Sequence, residues 1–556
     1  MRLQRSILTK PLLHVAGPSA VIMAPLLGLT FHSDQRIMMY WLTGAFGADP
    51  FAIANQNLAE IGDFLRQGNF RPLGRFVIYM EQTSIFEVAA GTGVAPHVIQ
   101  GIVRLIMVSA LAVAAMCFVV ALYDSARSAS VPGAATGRRR LLDSSAPVPP
   151  VLAAFPLVVG STLVVSGALH PVSFFPFFFV SVAIYLLLVP LYVCSGTAMT
   201  RRGIGIRPAI LCVVLGMVSA MTSELLYLVP VVCLLTIAAR GWLSRRPGRE
   251  LVRSSAFSRL VALSAGFLVV FVPSRLAIAA ECSRGECYEG SSAVLSTLAV
   301  EQWLGRAAAG LQFETVSSTL AGDYDNLSTA RDPIDFVTNV WLILVALSLA
   351  YLAVVAAIRV SRASESADRL GAGDLRRLGA ALCGFGGLLA LVTTLMVSLS
   401  EGLQGWHDRG FGLDQWRDSL LVQIAWALIL YGLAVIALSY IGRGNEGRRA
   451  RRAWLAAGVT ALVFVMSMNA FMANDKFSIW RRTGSDSTAV NLIATASVDF
   501  DRSERGQAIR CELISAYTER NCTDCWHSGQ RVLEELNRLS RSKHNADFCP
   551  VGLLSR

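Results

Sequence analysis

This sequence predicts an all-α polytopic membrane protein, and three observations carry the prediction. Of its 556 residues 54% are hydrophobic and 16% charged, with a mean hydropathy of +0.53, whereas soluble domains carry about 25% charged residues. The apolar residues gather into runs long enough to cross a bilayer, which takes about 20 residues of helix. The basic residues collect in alternate loops between those runs, as a topology signal does.

About eleven runs qualify, near 11–31, 101–123, 151–169, 173–195, 207–222, 225–241, 259–278, 337–359, 378–399, 418–441 and 454–473. The first, PLLHVAGPSAVIMAPLLGLTF, is long and lacks an A-x-A end before HSDQR, so it reads as a retained span rather than a cleaved signal. One set of alternate loops carries Arg2, Arg5 and Lys10, then Arg127 and Arg138 to Arg140, then Arg201, Arg202 and Arg207. The set continues with Arg245, Arg246, Arg249 and Arg253, then Arg362, Arg369, Arg376 and Arg377, and ends with Arg443, Arg448, Arg449, Arg451 and Arg452. Retention of such loops on the cytoplasmic side places the N-terminus inside and, with an odd number of spans, the C-terminal region outside. The net charge of +11 and pI near 9.3 are thereby read as topology, with no nucleic-acid partner. Only three lysines occur (Lys10, Lys476, Lys543) against abundant arginine, a bias of GC-rich bacterial genomes that suggests a bacterial plasma membrane.

Cysteine provides an independent check. Cys117, Cys194, Cys212, Cys233 and Cys383 fall within predicted spans, where a thiol is a small buried hydrophobe. Cys282, Cys287, Cys511, Cys522, Cys525 and Cys549 all fall in segments placed outside, an even set that suits an oxidising compartment and up to three disulfides. Cys282 and Cys287, five residues apart, are expected to close one small loop. Cys522-Thr-Asp-Cys525 with His527 also has the look of half a zinc site, but structural disulfides are the preferred reading.

Taken in order, the first external loop, 32–99, opens with FHSDQR. Phe51, Ala54, Leu58, Ile61 and Leu65 then recur at helical spacing, which predicts an amphipathic helix in the membrane interface. After GNFRPLGRF, the apolar FVIYM is too short to span and Gly91-Thr-Gly93 breaks the chain, so a second interfacial or re-entrant helix is expected. Ser223 and Glu224 sit at the turn between the fifth and sixth runs, where Glu224 must face a wet cavity or pair with an arginine. Two further external loops are 279–336 and 400–417. The tail, 474–556, reads as a small disulfide-bearing external domain beyond a transmembrane domain of 1–473. Within it, 529–542 can form one helix with Val532, Leu533, Leu536 and Leu539 as its buried stripe.

The chemistry-bearing residues cluster at predicted external helix ends. Asp34, with His32 and Arg36 beside it, has the chemistry of a general base for an acceptor hydroxyl; capping the next helix is its bland alternative. Arg71 and Arg75, on either side of Pro-Leu-Gly, suit a phosphate or pyrophosphate through paired guanidinium hydrogen bonds, and lipid headgroups are the alternative ligand. His407, Asp408 and Arg409, flanked by Trp406 and Trp416, form a second polar cluster that reads equally as an aromatic belt with snorkelling charges. No cofactor is required; a divalent metal held by Asp34 with His407 or Asp408 is compatible, although no ligand spacing specifies it. His170, before Pro171 and a Phe-rich run, reads as an ordinary turn.

Together these features resemble the GT-C superfamily of membrane glycosyltransferases. The likeness rests on Asp34 just after the first span, the interfacial helices with GNFRPLGRF, the acid in TSELLYLVP, and the late external loop with Arg409. It is closest to bacterial enzymes that modify O-antigen or cell-wall polysaccharide. The resemblance implies a polyprenyl-phosphate sugar donor, a glycan or glycolipid acceptor, and transfer with inversion. It further implies Asp34 as general base, and Arg71, Arg75 and Arg409 as ligands of the donor phosphate. Glu224, His32, His407, Asp408 and Trp406 would line the substrate vestibule. Two rivals stand beside it: a lipid or glycan transporter, for which no internal repeat is visible, and a non-enzymatic membrane scaffold.

Overall fold

The computed structural model describes residues 14–31, 33–130, 150–167, 169–195, 198–199, 203–283, 292–311, 340–365, 370–406, 416–440, 446–483, 496, 500–520 and 529–550. Among these the secondary structure is helical, with no strand and one isolated bridge between Ala293 and Ser400. Seven helices are long and apolar enough to cross a membrane. They are α6 (Pro96–Ser130), α8 (Pro176–Val193), α10 (Val229–Leu243) with the 3-10 turn Glu224–Leu228 before it, α12 (Ser255–Cys282), α15 (Ala372–Ser398), α17 (Ser419–Tyr440) and α18 (Glu446–Thr483). Three shorter apolar helices fall on predicted runs: α1 (His14–Gly28), α9 (Ile206–Thr222), and the stretch Ile343–Arg359 of α14 (Val340–Glu365).

The run predicted at 151–169 differs. A 3-10 turn (Pro150–Leu152) and α7 (Phe155–Thr162) open it; the chain then extends through 163–166. Polar side chains from two other helices take over the backbone bonds that a helix would have made. Asn474 of α18 accepts from Val165 N at 2.8 Å and donates to the carbonyls of Leu163 (3.2 Å) and Ile22 (3.1 Å), and Gln423 of α17 donates to Val164 O at 2.7 Å. Non-helical backbone is tolerated inside a bilayer protein when its polar groups are met in this way. His170 makes the turn predicted for it. Its Nδ1 accepts from Val172 N at 3.1 Å, which leaves Nε2–H to donate to Gln423 Oε1 at 3.3 Å.

Between spans the packing is close. A Cβ on Gly216 of α9 would lie 2.0 Å from Leu263 O of α12, and one on Gly266 would lie 2.1 Å from Val213 O, so these two backbones touch directly. Small residues permit this approach where lipid offers no hydrophobic drive to associate. Cys194, Cys212 and Cys233 are buried free thiols in the bundle, and Cys117 and Cys383 are free and half-buried.

The first loop folds as four helices: α2 (Ser33–Phe46), α3 (Pro50–Ala59), α4 (Ile61–Arg66) and α5 (Pro72–Thr92). On α3 and α4 the buried residues are Ile53, Asn57 and Phe64, while Phe51 and Leu58 are exposed, at 78% and 64%. The α5 helix is longer than FVIYM suggested. It ends at Gly93, in the left-handed conformation (φ 71°), and buries one face against α6, α8 and α9. It is therefore wedged into the end of the bundle.

The tail contributes α19 (Glu504–Arg520) and α20 (Gly529–His544). The stripe predicted for α20 is buried, with Val532, Leu533, Leu536 and Leu539 at most 4% exposed. These residues share one core with Phe31, Met39, Ile85 and Phe86, and Lys543 pairs with Glu87, so the tail and the first loop sit at the same end of the bundle. Cys511 and Cys549 form a disulfide across 38 residues of chain. Cys282 is also disulfide-bonded; Cys287, Cys522 and Cys525 lie outside the described residues. Position 474, where the sequence reading started the tail, falls inside α18, whose side chain Asn474 belongs to the bundle.

Candidate anion site at the helix ends

In the Pro-Leu-Gly between the two arginines, the proline and the glycine each have a structural purpose. Pro72 occupies the first turn of α5, where its missing N–H costs nothing and its fixed φ favours the helix. Gly74 lets that turn reach the end of α9: a Cβ there would lie 2.0 Å from Thr222 O. Glu224 follows Thr222 by two residues. The contact therefore delivers Arg71 to Glu224, with Nη1 3.6 Å from Oε2. Ser223 shapes the turn, its Oγ accepting from Leu225 N at 3.4 Å.

Arg71 and Arg75 are four residues apart, so both stand on one face of the α5 start. Arg75 lies over the Phe64 ring, 3.4 Å from its centroid, and bonds the Tyr79 hydroxyl one turn further on. Burial, and after it the like charge of Arg71, lowers the Arg75 pKa, although a guanidinium stays protonated at any physiological pH. Burial likewise raises the Tyr79 hydroxyl.

Two more arginines complete the cluster. Arg275 of α12 bonds Tyr227 and lies 5.4 Å from its ring centroid; Arg417, just before α17, lies 5.3 Å from the Phe179 ring and 5.1 Å from that of Trp416. Arg71, Arg417 and Arg275 all act electrostatically on the Glu224 carboxylate. The Glu224 side chain is 37% exposed and that of Arg71 15%, so the acid of the pair is reached by solvent. Three cations act on Glu224 here, and the fourth, Arg75, stands beside Arg71 with Glu60 acting on it. The Nε atoms of Arg71 and Arg75 are buried with no hydrogen-bond partner among the described residues. At 3.6 Å the Arg71–Glu224 contact is an ion pair too long to be a good hydrogen bond. Excess positive charge with unmet N–H donors is the chemistry of an anion site, for which guanidinium and phosphate match in geometry.

A second buried polar group supports this end of the bundle. Glu81 of α5 accepts from Phe177 N (3.2 Å) and Phe178 N (3.1 Å), meeting two of the N–H groups that the first turn of α8 leaves unpaired. Burial pushes its carboxyl up to about 7. Arg104, fully buried, donates to the carbonyls of Leu26, Leu29 and Val172 and to Gln100 Oε1, tying the end of α1 to the turn before α8.

Of the sequence-predicted residues, the structure brings Arg71, Arg75 and Glu224 together. Asp34 lies in the first turn of α2, a helix packed on α5; its side chain is not described. Trp406 ends a short helix, α16 (Glu401–Trp406), also without a described side chain. His32, His407, Asp408 and Arg409 lie outside the described residues. Among the described residues no three His, Cys, Asp or Glu side chains converge as metal ligands would.

Arg275, Arg417, Tyr79 and Tyr227 were missed. The available signal was arginine in the wrong place: Arg275 lies within the seventh apolar run, near the end that the charge pattern assigns to the outside, where that pattern calls for none. Compared with known proteins, the chain matches no family model, no curated protein and no solved structure.

Proposed function

We propose that this chain is a membrane glycosyltransferase that moves a sugar from a polyprenyl-phosphate donor to a hydroxyl of a cell-surface glycan or glycolipid, with inversion. The observation that carries the reading is the cluster of Arg71, Arg275 and Arg417 around Glu224, with Arg75 beside Arg71, at the ends of bundle helices where a lipid phosphate would lie. Arg71 and Arg75 would hold the donor phosphate, and Arg275 and Arg417 would add charge as the phosphate leaves and its bridging oxygen gains charge. The ion pair with Glu224 orients Arg71. The exposed Phe51 and Leu58 of α3 give the first loop an apolar edge for the lipid surface. Asp34 is the proposed base, in a helix that follows the first span and packs beside α5.

The test is Asp34→Asn in the full-length protein, assayed for sugar transfer with membrane insertion verified. General-base removal predicts a loss of about 10²–10⁴-fold. Transfer near the wild-type rate would eliminate Asp34 as the base and leave Glu224 as the described acid to test next.

A second reading, a lipid or glycan transporter, draws on the interrupted helix at 163–166, since discontinuous helices build transporter sites. Lipid-phosphate flux across proteoliposomes with no sugar transfer would favour it.

A further inference from the structure

One helix of the 279–336 loop, α13 (Thr297–Ala309), is buried the wrong way round for a segment in water. Its inward residues are Ala299, Gln302 and Arg306, whereas Val300 and Leu304 are 45% and 56% exposed and Leu295, just before the helix, 79%. At about 100° per residue, Val300, Leu304 and Ala308 share one face, and Gln302 and Arg306 stand on the opposite one. Inside, Gln302 donates to Leu403 O at 3.3 Å and Arg306 pairs with Asp418 at 3.5 Å. A helix on a water-soluble surface turns its apolar stripe inward and its charges outward; α13 does the reverse.

The helix also sits too deep for an external loop. Its entry lies at the end of α15: Val294 N donates to Leu399 O at 2.9 Å, and Ser296 Oγ donates to Gln404 Oε1 at 2.7 Å. From there it sinks between two spans. Trp303 donates to Leu391 O at 2.8 Å, seven residues before the end of α15 at Ser398. Trp426, seven residues beyond the start of α17 at Ser419, donates to Ala307 O at 2.6 Å. Seven residues of helix measure about 10 Å. The chain stays at that level through Gly310, where a Cβ would lie 2.6 Å from Val422 Cγ1 and 2.4 Å from Trp426 Cδ1. With 22 residues, α17 is about 33 Å long, little more than the hydrocarbon core of about 30 Å, so its second turn is already inside the bilayer.

We propose that α13 is a re-entrant helix seated in the bilayer, with Val300 and Leu304 against the acyl chains of the membrane lipids. Lipid is the occupant because the apolar face continues a span surface: Leu388 of α15, three residues from the Leu391 carbonyl that receives Trp303, is itself 46% exposed. The backbone suits that setting too. Trp426 meets one of the last four carbonyls of α13, which hydrocarbon could not do. Glu301, the charge on the outer side, lies in the turn nearer the entry, from which a side chain can reach water. The inference is independent of the catalytic reading.

The test uses the full-length protein in nanodiscs of phosphatidylethanolamine and phosphatidylglycerol. The photo-crosslinking residue p-benzoylphenylalanine is placed in turn at Val300, Leu304, Leu433 and Arg253, and adducts are identified by mass spectrometry. Leu433, 53% exposed within the span α17, is the lipid-facing reference, and Arg253, exposed in a basic loop, the aqueous one. Lipid adducts at Val300 and Leu304 are expected at a yield comparable with Leu433 and several-fold above Arg253. In parallel, Leu304→Cys is expected to react with a charged methanethiosulfonate several-fold more slowly than Arg253→Cys, after subtraction of wild-type labelling. This smaller change carries the test if the benzoylphenylalanine variants misfold. Lipid adducts at Val300 and Leu304 no more frequent than at Arg253 overturn the proposal, as do adducts to a second copy of the chain in their place. Labelling of Leu304→Cys as fast as that of Arg253→Cys overturns it equally.

Discussion

Gly74→Ala is the sharpest probe of how the anion site is assembled, because two effects of opposite sign compete there. In an open helix the change would stabilise by about 1 kcal/mol, the propensity gap between glycine and alanine. At Gly74 the new methyl would stand 2.0 Å from Thr222 O and 3.0 Å from Phe178 Cζ. Carbon and oxygen do not approach that closely, so α5 must move away from α9 by at least about 1 Å. The obstacle is a backbone carbonyl, which cannot rotate aside as a side chain would. Overpacking of this kind costs about 1–3 kcal/mol. The same shift would lengthen the 3.6 Å Arg71–Glu224 contact; at an effective dielectric of 20, that weakens it by about 1 kcal/mol. The net expectation is a protein destabilised by about 1–3 kcal/mol, with undecaprenyl phosphate bound several-fold more weakly. Thermal unfolding in detergent and lipid-phosphate titration read the two effects separately. Gly62→Ala in α4 is the control, since a Cβ there meets nothing within 4 Å. If Gly74→Ala proves as stable as wild type and binds the lipid phosphate equally well, the close approach of α5 to α9 does not build the site.

Two further outcomes follow from the supporting groups. Glu81 has a folded pKa of about 7 against an ordinary value of 4.5, so between those pH values the folded state holds a proton that the unfolded state has released. Its contribution therefore falls as pH rises from about 4.5 to 7, by about 3 kcal/mol in all; Glu81→Gln should flatten that part of the stability profile, and an unchanged slope would refute the assignment. In the tail, opening the Cys511–Cys549 bridge releases a loop of 38 residues, worth about 4 kcal/mol on chain-entropy grounds. Cys511→Ser should make α19 and α20 readily cleaved by protease while the spans stay protected; equal resistance of the tail would count against a structural role for the bridge.

Much of the architecture was legible in the chain because membrane insertion is governed by local composition. Ten of the eleven apolar runs coincide with apolar helices in the structure, since a bilayer requires each span to satisfy its own backbone. The buried stripe of α20 was legible for the same local reason, four apolar residues at helical spacing in a polar segment. Arg71, Arg75 and Glu224 could be singled out one by one, as charges too costly to leave at helix ends without partners. What tertiary structure alone decided is which of them meet. Nothing local to Gly74 says that its missing Cβ faces Thr222 O, or that Arg275 and Arg417, from segments distant in sequence, act on the same carboxylate. The broken run at 163–166 was hidden likewise, because its backbone is held by Asn474 and Gln423, about 300 and 260 residues further along the chain. Hydropathy reads the cost of transferring each segment into lipid; the polar contacts that build this site are paid across segments, and only the packed fold brings those segments together.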